Sequence, residues 1–80
     1  MQHILIIEDD RIIAESIEFI LEKDSFSCQW FNNGGESLNY LDNNKVDLIL
    51  LDVGLPDMSG FDVLRKIRLK SNRPVIIISA

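Results

Sequence analysis

Eighty residues, 46% of them hydrophobic, are enough for one small domain with a single core and too apolar for a disordered tail. A net charge of −5 argues against gripping DNA or an anionic membrane. No apolar run reaches the ~18–20 residues of a membrane span, the start Met1-Gln2-His3-Ile4 lacks a basic leader, and the single cysteine, Cys28, excludes an internal disulfide and a cysteine zinc site. A soluble, acidic domain in a reducing cytoplasm, away from membranes, is the expectation.

In chain order, Ile4 to Ile7 is a continuous apolar run, as in a strand covered on both faces. Residues 10 to 23 switch to helical spacing, with Ile13, Ile17, Ile20 and Leu21 on one stripe and Glu15, Glu18 and Glu22 opposite. Phe26 to Phe31 returns to strand character, and Asn32-Asn33-Gly34-Gly35 predicts a turn. Leu38, Tyr40 and Leu41 suggest a short helix ending near Asn43-Asn44. Val46 to Leu51 reads as a second buried strand, ended by Asp52.

Ser59-Gly60-Phe61-Asp62 has the spacing of a capping box, with Phe61, Leu64 and Ile67 as the stripe of the helix it opens. Pro74 opens a last strand, Val75 to Ile78, where a missing N–H is tolerated. The order β-α-β-α-β-α-β means α/β: a doubly wound parallel sheet with right-handed crossovers and helices on both faces. Ending at an apolar strand leaves an edge and part of one face uncovered. The chain is therefore read as a fragment of a longer protein, or as a unit completed by another chain.

Ligands of open parallel sheets sit beyond the carboxyl ends of the strands, beside the point where strand order reverses. Here those ends carry Glu8, Asp9 and Asp10 after the first strand, Asp52 after the third and Ser79 after the fourth. If the first and third strands are neighbours, Glu8, Asp9 and Asp52 converge. Converging carboxylates repel, so they take up a proton or hold a cation. Oxygen ligands without His or Cys select a hard cation such as Mg²⁺, which serves phosphoryl chemistry. Asp52 is then a candidate nucleophile, forming an aspartyl phosphate that Ser79 hydrogen-bonds. The plainer alternative is helix capping by Asp9 or Asp10, which leaves Asp52 unexplained.

Two stretches, Ile4-Leu5-Ile6-Ile7-Glu8-Asp9-Asp10 and Asp47-Leu48-Ile49-Leu50-Leu51-Asp52-Val53-Gly54-Leu55-Pro56-Asp57-Met58-Ser59-Gly60, resemble the receiver domain of bacterial two-component response regulators. Pro74-Val75-Ile76-Ile77-Ile78-Ser79-Ala80 is similar to that family's fourth strand. The resemblance implies a flavodoxin-like sheet in the order 2-1-3-4-5, residues 1–80 being a receiver domain that lacks its fifth strand and last helix.

The resemblance also implies roles. Asp52 matches the phosphoacceptor, modified by a sensor histidine kinase, and Asp9 the acid that binds Mg²⁺ directly. Glu8 matches the acid that often acts through water, and Gly54 the position that offers its backbone carbonyl to the metal. Ser79 matches the hydroxyl residue that moves toward the phosphoryl group, and Ala80 the small residue lining its pocket. Asp10, one past the matched pair, is left as a helix-capping charge. No organic cofactor is expected, and the chain is not expected to be a turnover enzyme.

The family's lysine and aromatic switch residue fall beyond Ala80. None of Lys45, Lys66, Lys70 or Arg73 replaces that lysine, so phosphorylation of the segment alone is expected to be weakened. The Gly54–Gly60 loop looks most like the OmpR/PhoB-like subfamily, which implies a transcription regulator whose DNA contacts belong to an output domain outside this chain. The exposed fourth-strand edge predicts self-association.

Three rival functions share features of this pattern. A flavin-binding domain wants a Ser/Thr/Gly loop where Glu8-Asp9-Asp10 stands, and a haloacid-dehalogenase-type phosphatase wants an Asp at Gly54. The strongest rival is a pseudo-receiver, an interaction module that keeps the fold without phosphotransfer. Elsewhere, Phe26 and Trp30 are expected to pack in the core, Cys28 to be a small buried hydrophobe, and His3 to lie on the surface. Gly60 is read as helix-start geometry, and the basic run Arg65 to Lys70 as cations favouring a helix C-terminus.

Overall fold

The computed structural model describes residues 2–78; Ser79 and Ala80 lie outside the described residues. The chain runs β1 (His3–Ile7), α1 (Arg11–Lys23), β2 (Ser27–Phe31), α2 (Gly34–Asn43), β3 (Leu48–Asp52), α3 (Gly60–Lys70) and β4 (Val75–Ile78). All strand pairings are parallel, in the order β2-β1-β3-β4. β1 and β3 are thus neighbours, with Ile7 opposite Leu51, and their carboxyl ends finish side by side.

The apolar runs of β1 and β3 are apolar throughout because both faces are covered. Leu5, Ile7, Ile49 and Leu51 meet Val63 and Ile67 of α3 and Leu38, Tyr40 and Leu41 of α2 on one face. Ile4, Ile6, Leu48 and Leu50 meet Ala14, Ile17 and Leu21 of α1 on the other, joined by Phe26, Cys28 and Trp30.

The expected helical stripes hold at Ile17, Leu21, Leu64 and Ile67 and differ at Ile13, Ile20 and Phe61. On α1 the contact line runs through Ala14, Ile17 and Leu21, while Ile13 and Ile20 stand exposed with Ile12 and Phe19. The small Ala14 lets the helix axis come close to the sheet and turns its larger neighbours outward. On α3 the buried seam is Gly60, Val63 and Ile67, and Phe61 faces solvent.

Element ends show local chemistry. α1 closes in a Schellman arrangement: Ser25 N–H bonds Glu22 O at 3.1 Å, Phe26 N–H bonds Leu21 O at 3.1 Å, and Ser25 takes φ 70°. Phe26 is consumed by that cap, so β2 starts one residue later than expected. β3 starts at Leu48, two residues later than expected, after Asp47, which meets His3 through its N–H to His3 O and through Oδ2, which accepts the His3 N–H, both at 2.8 Å.

The turn expected at Asn32 to Gly35 is instead the start of α2: Asn33 caps it, accepting from Glu36 N–H at 2.9 Å. The Ser59 box is half formed, with Ser59 Oγ accepting from Phe61 N–H at 3.1 Å while Asp62 pairs with Arg65. His3 is not a free surface residue. Its Nδ1 lies 2.8 Å from Ser27 Oγ and its Nε2 2.6 Å from Tyr40 OH, pinning β1 to β2 and α2. Among the described residues, no helix is long and apolar enough to cross a membrane.

Candidate functional site

β1 releases its chain at Ile7, but the backbone of Glu8 stays fixed. Glu8 N–H donates to Phe31 O at 3.1 Å, and the Trp30 indole Nε1–H donates to Glu8 O at 2.7 Å. The Glu8 side chain, only 5% exposed, is thereby held at the sheet end, where Oε2 accepts the Asp10 N–H at 3.2 Å. The Trp30 contact was not legible in the sequence, since only the β1–β2 register carries the indole to that carbonyl.

The capping alternative resolves onto one residue. Asp10 Oδ1 accepts from Ile12 N–H at 2.9 Å and Ile13 N–H at 3.3 Å and so opens α1. That leaves Glu8 and Asp9 outside the cap. β3 meanwhile delivers Asp52 at its last position, 9% exposed, with Gly54 N–H 3.3 Å from Oδ1.

Carboxylate oxygens of Glu8, Asp9 and Asp52 all lie within 4.8 Å of one another. They border an open cleft of about 440 Å³ lined by Glu8, Asp9, Asp10, Ile13, Asp52, Val53 and Gly54. Four of the sequence-predicted site residues therefore come together: Glu8, Asp9, Asp52 and Gly54. Gly54 is exposed, a side chain there would meet nothing within 4 Å and its φ is not positive, so neither volume nor backbone demands glycine at this position.

Gly60 is demanded by packing. A Cβ would sit 2.4 Å from Val53 Cα and 2.6 Å from Asp52 O, so α3 starts hard against the end of β3. Its N–H donates to Val53 O at 3.0 Å and helps fix the chain just past Asp52.

The electrostatics fit a cation. Burial pushes the Glu8 carboxyl up to about 7, and the neighbouring Asp52 and Asp9 carboxyls add to the rise against a lowering bond from the Asp10 amide. A buried acid that prefers its proton beside two further acids marks a place where positive charge is wanted. All donors are oxygen, which suits a hard cation such as Mg²⁺.

Outside the cleft, the remaining residues play structural parts. The Cys28 thiol is raised by burial and by Glu22 and Glu18, which keeps it unreactive. In the basic run, Arg65 pairs with Asp62, Lys70 Nζ lies 2.6 Å from Asp42, and Arg68 Nη1 donates to Arg73 O at 2.7 Å.

Comparison with known proteins agrees with this geometry. A cell cycle response regulator, CtrA, from Brucella ovis is 46% identical over 77 residues, which is 95% of this chain and 33% of the relative. The chain thus spans about a third of the curated relatives it matches. Among solved structures, the response regulator TrrA of Thermotoga maritima in complex with Mg²⁺-BeF is 30% identical with a TM-score of 0.93. That match covers all of this chain and 70% of TrrA.

TrrA bound to the histidine kinase ThkA gives the same values, and a CheY-like receiver from Methanospirillum hungatei is 31% identical with a TM-score of 0.92, covering 99% of this chain and 64% of that one. A family model described as the response regulator receiver domain matches residues 4–80. The chain belongs to the response regulator receiver domain family.

Proposed function

We propose that this chain is a phosphorylation-gated switch that takes a phosphoryl group onto Asp52 from a phosphohistidine of a sensor histidine kinase. The observation that carries the reading is the convergence of Glu8 and Asp9 from β1 with Asp52 from β3. In the transfer, an Asp52 carboxylate oxygen bonds to phosphorus, the P–N bond of the donor breaks, and its electron pair returns to the imidazole nitrogen.

Glu8, Asp9, Asp52 and the Gly54 carbonyl are the residues that would hold Mg²⁺. When bound, the ion supplies the positive charge that lets an anionic nucleophile meet an anionic phosphoryl donor. Asp10 orients the start of α1, and Trp30 fixes the Glu8 backbone from behind. Ser79 and Ala80 are assigned the phosphoryl-contact and pocket-lining roles on family resemblance.

The domain changes state once per phosphoryl group received and does not turn over a substrate. The Mg²⁺-BeF complex and the kinase complex of TrrA support the metal and partner in this reading. Residues 1–80 would be the receiver part of a longer response regulator, as the CtrA relatives, which the chain spans to about a third, support; the OmpR/PhoB-like loop resemblance makes that parent a cytoplasmic transcription regulator with DNA bound through an output domain. β4 is at the sheet edge, with Ile76 and Ile77 50% and 40% exposed, which supports pairing between copies of the chain.

The test is the intact mass of the full-length protein after incubation with a small acyl phosphate and Mg²⁺. The wild type gains one phosphoryl group and Asp52→Asn gains none. An equal mass gain in Asp52→Asn removes Asp52 as the acceptor. No gain in either protein, kinase included, favours the pseudo-receiver.

A further inference from the structure

The loop from Val53 to Ser59 carries Gly54 and follows Asp52 directly, so its position decides where one of the four expected metal ligands stands, beside the Asp52 that β3 delivers. It is closed on itself by an antiparallel bridge between Gly54 and Ser59 and by the Gly60 N–H to Val53 O bond. Those bonds tie the loop to the start of α3 and leave its outer part, Leu55 to Met58, to be held from elsewhere. Among the described residues, Leu55 and Met58 pack that part against the core and the Asp57 side chain bonds it to α2.

Asp57 Oδ1 accepts from Gly34 N–H and Oδ2 from Gly35 N–H, both at 2.9 Å. These two amides open α2 and have no partner inside the helix, and the helix dipole favours a negative group there. Asn33, the helix's own cap, serves the Glu36 amide and leaves these two open. The carboxylate thus takes a two-point grip on another element across 23 residues of chain.

The closeness is built in at Gly34, where a Cβ would stand 2.7 Å from Met58 Sδ and 2.8 Å from Val63 Cγ2. Hydrogen bonds from the Gly34 and Gly35 amides also hold the Asp57 carboxyl below its ordinary value, so the grip stays ionised at neutral pH.

We infer that Asp57 is a positioning residue for the acid pocket: by clamping the β3–α3 loop to the start of α2, it holds the Gly54 carbonyl and the Asp52 carboxylate in register with Glu8 and Asp9. The inference rests on the phosphoacceptor reading above. Asp57 lies outside the cleft and touches neither metal nor phosphoryl group; its effect passes through the short stretch from Gly54 to Asp57. Loss of a plain stabilising contact between loop and helix would lower melting temperature and leave the metal dependence of phosphorylation alone. A positioning residue shifts that dependence.

The experiment measures the Mg²⁺ concentration for half-maximal phosphorylation of the full-length protein by a small acyl phosphate, in wild type, Asp57→Ala and Asp57→Asn. Mg²⁺ binding is followed in parallel through backbone amide shifts, well below the melting temperature. Asp57→Ala should raise the half-maximal Mg²⁺ about tenfold, the low end of what losing an outer partner costs a metal site, with the rate at saturating Mg²⁺ nearly unchanged. Asp57→Asn keeps the volume and one acceptor oxygen, so it should fold and fall between the two.

The inference is overturned if the Gly34 and Gly35 amide shifts move in Asp57→Ala while the Mg²⁺ midpoint stays at the wild-type value, or if those amides do not move at all. Should Asp57→Ala fail to fold, an unshifted midpoint in Asp57→Asn overturns it equally. A wild type that binds no Mg²⁺ and takes no phosphoryl group contradicts the functional reading itself, and the inference with it.

Discussion

At the scale of single residues, three carboxylates with three different surroundings divide the work. Asp9 stands exposed at the mouth of the cleft, Glu8 is buried behind it, and Asp52 closes β3 beside them. Removing Asp9 should cost metal binding and not the fold, since its side chain is solvated. Asp9→Ala is expected to weaken Mg²⁺ binding by tenfold or more, and calorimetric titration showing equal affinity would remove it from the ligand set.

Glu8 carries a pH signature. Its carboxyl sits at about 7 in the folded chain against 4.5 ordinarily, so the folded state binds a proton that the unfolded state has released. The stability this group contributes is fully present below 4.5 and is lost as pH rises to about 7. In Mg²⁺-free buffer the urea midpoint of wild type should therefore fall over that window relative to Glu8→Gln; parallel curves for the two proteins would contradict it.

Site residues were legible where side-chain type and strand-end position coincide, as for Glu8, Asp9 and Asp52. They were not legible where the contact depends on register or on a distant loop. Trp30 reaching the Glu8 carbonyl and His3 bridging Ser27 and Tyr40 are products of the sheet, and no local pattern announces them.

At the scale of elements, every strand and helix was visible in the hydrophobic period, and the differences lie at ends and faces. The apolar stripes of α1 and α3 reach the core at Ile17, Leu21, Leu64 and Ile67 but leave Ile13, Ile20 and Phe61 exposed, because a stripe wide enough to bury a helix contains more apolar residues than the sheet can touch. Small residues at the contact line, Ala14 and Gly60, decide which ones turn inward. Helix ends followed competition among local hydrogen bonds: Asn33 turned an expected turn into a helix start, and Asp62 chose Arg65 over completing a capping box.

Two substitutions test this level. Gly60→Ala forces a Cβ against backbone atoms of Asp52 and Val53 and should destabilise by roughly 1–3 kcal/mol in urea unfolding. Ser25→Gly relieves a left-handed serine at the α1 cap and should stabilise by about 1 kcal/mol. A neutral Gly60→Ala or a destabilising Ser25→Gly would show that those ends are looser than described.

At the scale of the whole molecule, the parallel sheet turns two sequence-distant acids into neighbours. The β2-β1-β3-β4 order is what puts Glu8 and Asp9 beside Asp52, and the same order puts β4 at the edge. Ile76 extends the α1-covered face beyond Leu50, and Ile77 extends the opposite face beyond Leu51. Half-exposed isoleucines on an edge strand favour pairing, so the 80-residue chain should sediment as a concentration-dependent mixture. Ile76→Lys should shift it toward monomer, and a wild type that stays monomeric at high concentration would dismiss the pairing.

The central claim, that the fold exists to place a nucleophilic carboxylate at the end of β3, has a direct chemical test. Phosphorylated full-length protein is reduced with borohydride, which converts an aspartyl phosphate to homoserine, and the modified peptide is sequenced. Homoserine at position 52, with Asp9 and Asp10 intact, is the result the account predicts. Homoserine at another aspartate, a reduced glutamate, or a phosphoryl group that resists borohydride would contradict it.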